Sequence, residues 1–131
     1  MANIRSFKEL RVWQNAMELG VTIFELTKRF PPDEKYSLTD QVRRASRSVA
    51  ANISEAWRKR RYPAAFVSKL NDAESEAAET QTWIEFSRRF HYLSDGEAGE
   101  LDERCEELLG QLVTMINHPD DWTVHRGGKE N

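Results

Sequence analysis

The sequence predicts an all-α protein, an antiparallel up-down-up-down four-helix bundle. Three observations carry that prediction. Four stretches repeat apolar residues at the three-and-four spacing of a single helix face. Prolines, capping residues and short polar links separate those stretches. No strand-like alternation or Gly-rich β turn competes with them. At 131 residues, with 39% hydrophobic and 31% charged side chains, the chain is long enough to bury one core without staples. The four-helix body is expected over residues 1–118 and a tail over 119–131.

Helix one is expected from about Phe7 to Arg29. Ser6 and Glu9 have the S-x-x-E spacing of a capping box. Leu10, Trp13, Met17, Gly20 or Val21, Phe24 and Thr27 sketch its inward stripe. Gly20 costs roughly 1 kcal/mol against alanine in a helix interior, which suggests a close helix crossing there. Lys28 and Arg29 suit the negative end of the helix dipole. Phe30-Pro31-Pro32 then stops the helix, because Pro31 disfavours helical geometry at the residue before it.

Helix two lies in the stretch from Tyr36 to Tyr62. Ser37 followed by Asp40 is its start signal. Leu38, Val42, Ala45, Val49, Ile53 and Ala56 form one stripe. Ser46, Ser48, Ala50, Ala51 and Ser54 keep much of the remaining surface small, so another backbone can approach closely. Pro63 either breaks the chain or occupies the first turn of helix three, which is expected to reach about Tyr92. Phe66, Leu70, Ala73, Ala77, Thr80, Ile84, Ser87 and His91 give that helix a heptad-like seam. Trp83, Phe86 and Phe90 widen its apolar face.

Helix four opens on a second capping box, Ser94 with Glu97, and ends near Asn117. Leu101, Cys105, Leu108, Leu112 and Met115 are its inward stripe; Glu100, Asp102, Glu103, Glu106 and Glu107 make the opposite face acidic. The segment from His118 onward has turn residues and no periodicity, and reads as a mobile tail. Trp122 is its one candidate to dock back on the body.

The net charge of −3 hides an asymmetry. From Gln41 to Tyr62 seven Lys/Arg face a single acid, Glu55, a net of +6; the rest of the chain holds twelve basic and twenty-one acidic residues, a net of −9. So uneven a distribution points to a partner surface. Arg43, Arg44 and Arg47 cluster early in helix two, and Arg58, Lys59, Arg60 and Arg61 at its end. Such groups neutralise phosphates in a sequence-independent, salt-sensitive way. Tyr62 could offer a stacking face to unpaired bases, whereas Trp57 reads as core more than platform. The competing reading pairs these arginines with acids of helix three or four, within a subunit or across an interface.

No catalytic constellation emerges. His118, Asp120, Asp121 and His125 are the one loose set of metal-ligand types, and they lie in the tail. Glu74, Glu76 and Glu79 lack the Glu-x-x-His pairing of di-iron bundles and read as a solvated or inter-subunit acidic face. His91, on the helix-three seam, reads as a hydrogen-bonded core histidine. Cys105 sits on a core stripe as a small hydrophobe, and a lone cysteine suits a reducing cytoplasm. The Arg-then-His spacing of small helical ribonucleases and any phosphate-cradling Gly-rich loop are absent. No enzyme, cofactor or metal is expected. Neither is a membrane span or signal peptide: no apolar run approaches ~20 residues, and the first residues lead straight into a helix.

The segments FKELRVWQNAMEL (7–19), RFPPDEKYSLTDQVRRASRSVAANISEAW (29–57), SKLNDAESEAAETQTW (68–83) and the HYLS turn (91–94) together carry a resemblance. The chain resembles the four-helix bundle family encoded by intervening sequences within bacterial 23S ribosomal RNA genes. A related branch is the accessory variability determinant of diversity-generating retroelements. The resemblance implies an antiparallel bundle assembled into a ring-like homopentamer, a basic surface suited to nucleic acid, and a reverse transcriptase as a candidate partner. Gln41, Arg43, Arg44, Asn52 and Glu55 match the family's helix-two signature. Asn52 and Glu55 are expected to make hydrogen bonds that fix helix packing or a subunit contact. Many members have Gly where this chain has Ala56, so helix two is expected to continue further toward Arg61.

Two functions are carried forward. In the first, a non-enzymatic, cytoplasmic, oligomeric bundle binds RNA or other nucleic acid through helix two, with Arg43, Arg44, Arg47, Arg58, Lys59 and Arg61 on phosphates and Gln41, Asn52 and Glu55 in structural or interface roles. In the second, the protein is a structural or protein-adaptor module whose basic helix makes subunit or partner contacts.

Overall fold

Four long helices account for most of the computed structural model, which describes residues 4–123. They are α1 (Arg11–Thr27), α2 (Leu38–Arg58), α3 (Pro63–Arg89) and α4 (Asp95–Asn117). Short 3-10 turns occupy Phe7–Glu9, Pro32–Glu34 and Pro119–Asp121, and no strand occurs among the described residues. Each helix packs on its neighbour in sequence, and α4 closes the square against α1. The seam between α2 and α3 is the longest, and that between α1 and α4 the shortest. This is the up-down-up-down bundle.

The inward stripes of three helices fall where their periodicity places them. Leu38, Val42, Ala45, Val49, Ile53 and Ala56 of α2 are buried, as are Phe66, Leu70, Ala73, Ala77, Thr80, Ile84 and Ser87 of α3. Leu101, Cys105, Leu108, Leu112 and Met115 of α4 complete the core. The small residues let α2 and α3 approach closely, and the polar ones satisfy themselves within the helix. Thr80 Oγ1 donates to the Glu76 carbonyl at 2.8 Å and Ser87 Oγ to the Trp83 carbonyl at 2.8 Å.

Helix α1 departs from its expected stripe. Val12, Ala16, Leu19, Ile23 and Thr27 face the core, while Met17, Val21 and Phe24 lie in solvent. Both stripes are apolar, so hydropathy marks two faces and only the packing of α2 and α4 selects the inner one. The start also differs. Phe7–Glu9 is a separate 3-10 turn, and Leu10 is extended at φ −71, ψ 128 before α1 begins. That bend turns the 3-10 segment onto α2 and sets Phe7 edge-on to Trp13 at 5.4 Å between ring centroids. Ser6 caps Lys8 N–H at 3.1 Å, while Glu9 accepts from Arg5 N–H at 3.3 Å, so the expected reciprocal box does not form.

Two other helix ends correct the sequence reading. Ser37 makes no side-chain cap on α2; Glu34 Oε1 instead accepts from Leu38 N–H at 3.1 Å. The 3-10 turn at Pro32–Glu34 carries that carboxylate to the helix start, and Asp40 is left free to pair with Arg44. Helix α3 stops at Arg89, so His91 is no core residue. It is exposed at φ 66, in the left-handed region. Tyr92 N–H bonds the Ser87 carbonyl at 2.8 Å and His91 N–H the Arg88 carbonyl at 3.0 Å, the paired bonds of a Schellman end. At α4 the expected capping box is present in full: Glu97 N–H to Ser94 Oγ at 3.1 Å, and Ser94 N–H to Glu97 Oε1 at 2.9 Å. Beyond α4, Trp122 packs against the core near Leu10, Val12 and Met115.

Candidate nucleic-acid interface

The basic groups of α2 divide into two sets at opposite ends of the helix. Arg44 and Arg58 are fourteen residues apart, about 21 Å along the axis at 1.5 Å per residue. They are too far apart to hold the same phosphate.

The first set is largely engaged with α1. Arg43 Nε donates to Thr27 Oγ1 at 2.7 Å and its Nη2 to the Phe24 carbonyl at 3.3 Å, with the guanidinium 4.6 Å from the Phe24 ring centroid. Thr27 Oγ1 itself donates to the Ile23 carbonyl at 2.7 Å, so this hydroxyl accepts from one helix and donates within the other. Arg44 pairs with Asp40 at 2.9 Å. Arg47 is exposed and lies 6.0 Å from the Phe24 ring. Lys28 reaches the same ring at 4.9 Å, so three cations surround one aromatic side chain.

The second set sits at the corner joining α2 to α3. Helix α2 ends at Arg58 and does not run on toward Arg61. Pro63 is the first residue of α3, which holds Tyr62 extended at φ −124, ψ 95 and forces a turn through residues 59–62. Arg58, Lys59 and Arg61 are exposed, and none of them makes an ion pair among the described residues. Tyr62 is 55% exposed beside them. Arg60 behaves differently. Its Nε donates to the Trp57 carbonyl at 2.8 Å, and its guanidinium lies 3.5 Å from the Trp57 ring centroid. Burial, and then the charge of Arg58, lowers its pKa. Trp57 is only 4% exposed, which makes it core and leaves Tyr62 as the aromatic face at the corner.

The three signature polar residues separate as well. Glu55 pairs with Lys69 at 2.8 Å, tying α2 to α3, and Lys69 is raised by that bond and by Asp72. Asn52 Nδ2 bonds the Ser48 carbonyl of its own helix at 2.9 Å, and Gln41 is exposed. The helix crossings use groups that the sequence did not single out as a set: Trp13 Nε1 to Ser54 Oγ at 3.1 Å, Asn15 Nδ2 to Gln111 Oε1 at 3.2 Å, and Arg104 Nη1 to Thr22 Oγ1 at 3.1 Å. Nothing in a periodic pattern reveals such pairs, because their partners lie 41 to 96 residues away.

Other candidate chemistry stays apart. Among the described residues no group of three or more His, Cys, Asp or Glu could hold a metal ion, and His125 lies outside them. Glu76 is raised by desolvation and by Glu79 and Asp72, while Glu79 accepts from Trp83 Nε1 at 3.0 Å. The Cys105 thiol is pushed up to about 12, chiefly by burial. No described helix is long and apolar enough to cross a membrane.

A family model described as 23S rRNA-intervening sequence protein matches residues 8–114, from just before α1 to near the end of α4. The chain belongs to that family. A 23S rRNA-intervening sequence protein of this kind also has solved structural relatives. The chain is similar to a crystal structure of a protein of unknown function from the S23 ribosomal protein family of Bacteroides thetaiotaomicron. The two are 30% identical with a TM-score of 0.73, over 80% of this chain and 97% of the other. None of the curated proteins compared matches this chain.

Proposed function

We propose that the protein is a non-enzymatic, cytoplasmic, self-assembling bundle that binds RNA or another nucleic acid through the basic groups of α2 and of the turn that follows it. One observation carries the reading: Arg58, Lys59 and Arg61 stand exposed together at the α2–α3 corner without an acidic partner among the described residues. Uncommitted cations on a rigid helix end can exchange condensed counterions for phosphate contacts, and that release drives non-specific binding. Tyr62 adds a face on which an unpaired base can stack. A ring of five subunits and a reverse transcriptase as partner belong to the proposal on the family resemblance alone.

The test is binding of the purified protein to a labelled structured RNA across a salt series. Log affinity falling steeply with log salt is the expected result, and its slope counts phosphate contacts roughly. Absence of binding at low salt would sink the reading. RNA that is shortened on prolonged incubation with divalent metals would sink the non-enzymatic part.

A second reading is favoured by a different observation. Arg43 and Arg44 already have partners, and Arg43, Arg47 and Lys28 surround an exposed Phe24. On that reading the start of α2 serves subunit or protein-partner contacts in a structural or adaptor module, and the corner alone touches nucleic acid.

A further inference from the structure

Phe24, Tyr36, Tyr62, Phe86 and Phe90 are the large aromatic side chains exposed among the described residues. Four of them have covered or shared faces. Phe24 lies under Lys28 and Arg43, and Tyr36 under Lys35. Phe86 and Phe90 pack on each other, Phe86 also on Trp83 and Phe90 also on Tyr92. Tyr62 has neither a cation over its ring nor an aromatic partner among the described residues. Its backbone is held on both sides: Tyr62 N–H donates to the Lys59 carbonyl at 2.9 Å, and the Tyr62 carbonyl accepts from Phe66 N–H at 2.9 Å. An open ring on a fixed backbone is suited to stacking, because little freedom is lost when a base covers it.

We infer that the α2–α3 corner is a single-strand site, taking an unpaired nucleotide with its base on Tyr62 and neighbouring phosphates of that one strand on Arg58, Lys59 and Arg61, in preference to a duplex. This deepens the nucleic-acid reading of the same corner and rests on it. Size supplies the first argument. The Lys59–Tyr62 bond closes a four-residue turn, whose ends lie within about 7 Å of each other. Phosphates along one stacked strand follow at ~3.4 Å, so cations on so short a turn match neighbours on a single strand. The ring supplies the second argument. Bases inside a duplex are already stacked on both faces, and only an unpaired base can lie on Tyr62.

The charges at this end of the bundle leave the corner cationic. The first turn of α3 carries no acid. Glu55, one turn before Arg58, is held by Lys69 at 2.8 Å, and Asp72 by the same ammonium at 3.4 Å. Glu9, Asp120 and Asp121 also lie at this end, on the 3-10 turns packed against α2 and α3, and none of them is in an ion pair with the corner. Arg60 is the one cation of the turn already engaged within the protein. Its guanidinium lies on the Trp57 ring and its Nε closes the last turn of α2 at the Trp57 carbonyl. It is a positioning residue for the turn that carries the other cations and Tyr62.

The experiment measures binding of the full chain to a uridine homopolymer and to an adenine–uracil RNA duplex of the same length, by fluorescence anisotropy across a salt series. Wild type should bind the single strand more tightly, although the duplex has the higher charge density. Tyr62→Ala should weaken single-strand binding by roughly five- to a hundredfold, the scale of one stacked base, with the salt slope unchanged because no phosphate contact is lost. Its affinity for the duplex should stay at the wild-type value. Tyr62→Phe keeps the ring and should bind as wild type does. If Tyr62→Ala loses helix content in circular dichroism, Tyr62→Leu replaces it, with apolar bulk but no π face. A wild type that binds the duplex as tightly, or a Tyr62→Ala protein that binds the single strand as tightly as wild type, overturns the single-strand inference. The phosphate reading still stands in either case if alanine at Arg58, Lys59 and Arg61 weakens binding to both nucleic acids. A wild type that binds neither at low salt overturns both.

Discussion

Arg43 of α2 grips the end of α1 through Phe24: its guanidinium lies 4.6 Å from that ring while its Nη2 bonds that residue's own carbonyl at 3.3 Å. A carbonyl in the last turn of a helix lacks a full set of intrahelical partners, and a cation placed there also suits the negative end of the helix dipole. With the bond from Nε to Thr27 Oγ1, one side chain closes α1 and fixes its crossing with α2. A phosphate contact would have to compete with those bonds.

Arg43→Ala should therefore lower stability by about 1–2 kcal/mol, the scale of charged hydrogen bonds that are only partly buried. Arg43→Lys should recover little of it, since an ammonium cannot address the hydroxyl, the carbonyl and the ring face together. Urea unfolding of both variants checks this, and a midpoint equal to wild type would contradict the assignment.

The two basic sets should separate in binding. Replacing Arg58, Lys59 and Arg61 together with alanine should leave the unfolding midpoint near wild type and reduce the salt slope by up to about 2 for single-stranded RNA, at roughly 0.7 per phosphate contact. Replacing Arg43, Arg44 and Arg47 should cost stability and assembly more than it costs affinity per subunit. Fluorescence anisotropy at several salt concentrations, beside light scattering, distinguishes these outcomes.

Acid should weaken the bundle through the start of α4. The bond from Arg29, and next that from Ser94 N–H, hold the Glu97 carboxyl down at about 2 against its ordinary 4.5. A folded value below the unfolded one gives stability that is present above pH 4.5 and lost as pH falls toward 2. Glu97→Gln keeps an acceptor for Ser94 N–H but not the charge. Its deficit against wild type should be largest at neutral pH and shrink across that window in thermal melts.

His91 offers a stabilising change. A left-handed φ of 66 at the residue closing a Schellman end suits glycine, and any Cβ there carries strain. His91→Gly should raise stability by a few tenths to about 1 kcal/mol, the relief of strain being offset in part by the freer unfolded chain. A lower melting temperature would show that the imidazole contributes something beyond its backbone position.

The Cys105 thiol should be silent in the folded protein. Fully buried in the α4 stripe and pushed up to about 12, it offers almost no thiolate at pH 8. A disulfide exchange reagent should label it only as the chain unfolds, at a rate that follows denaturant.

Much of this molecule was legible in residue order. Helices α2, α3 and α4 each bury the stripe that their spacing marks, although Phe86 of α3, expected to widen that helix's apolar face, is 43% exposed, and the Ser94 box at α4 is local enough to be read from a spacing of three. What is decided within a few turns of helix, the sequence determined: four helices, their order, three of four buried faces, and the basic character of α2. What depends on residues far apart, only the tertiary structure decided. Two apolar stripes compete on α1, and the neighbours chose Val12 and Ile23 over Met17 and Phe24. Glu34 replaced Ser37 as the α2 cap because a proline-led turn delivered its carboxylate first. The arginines of α2 and of the turn after it, alike in sequence, became structural at Arg43 and Arg60 and stayed exposed, without an ion pair among the described residues, at Arg58 and Arg61, since a guanidinium's availability is fixed by what packs beside it.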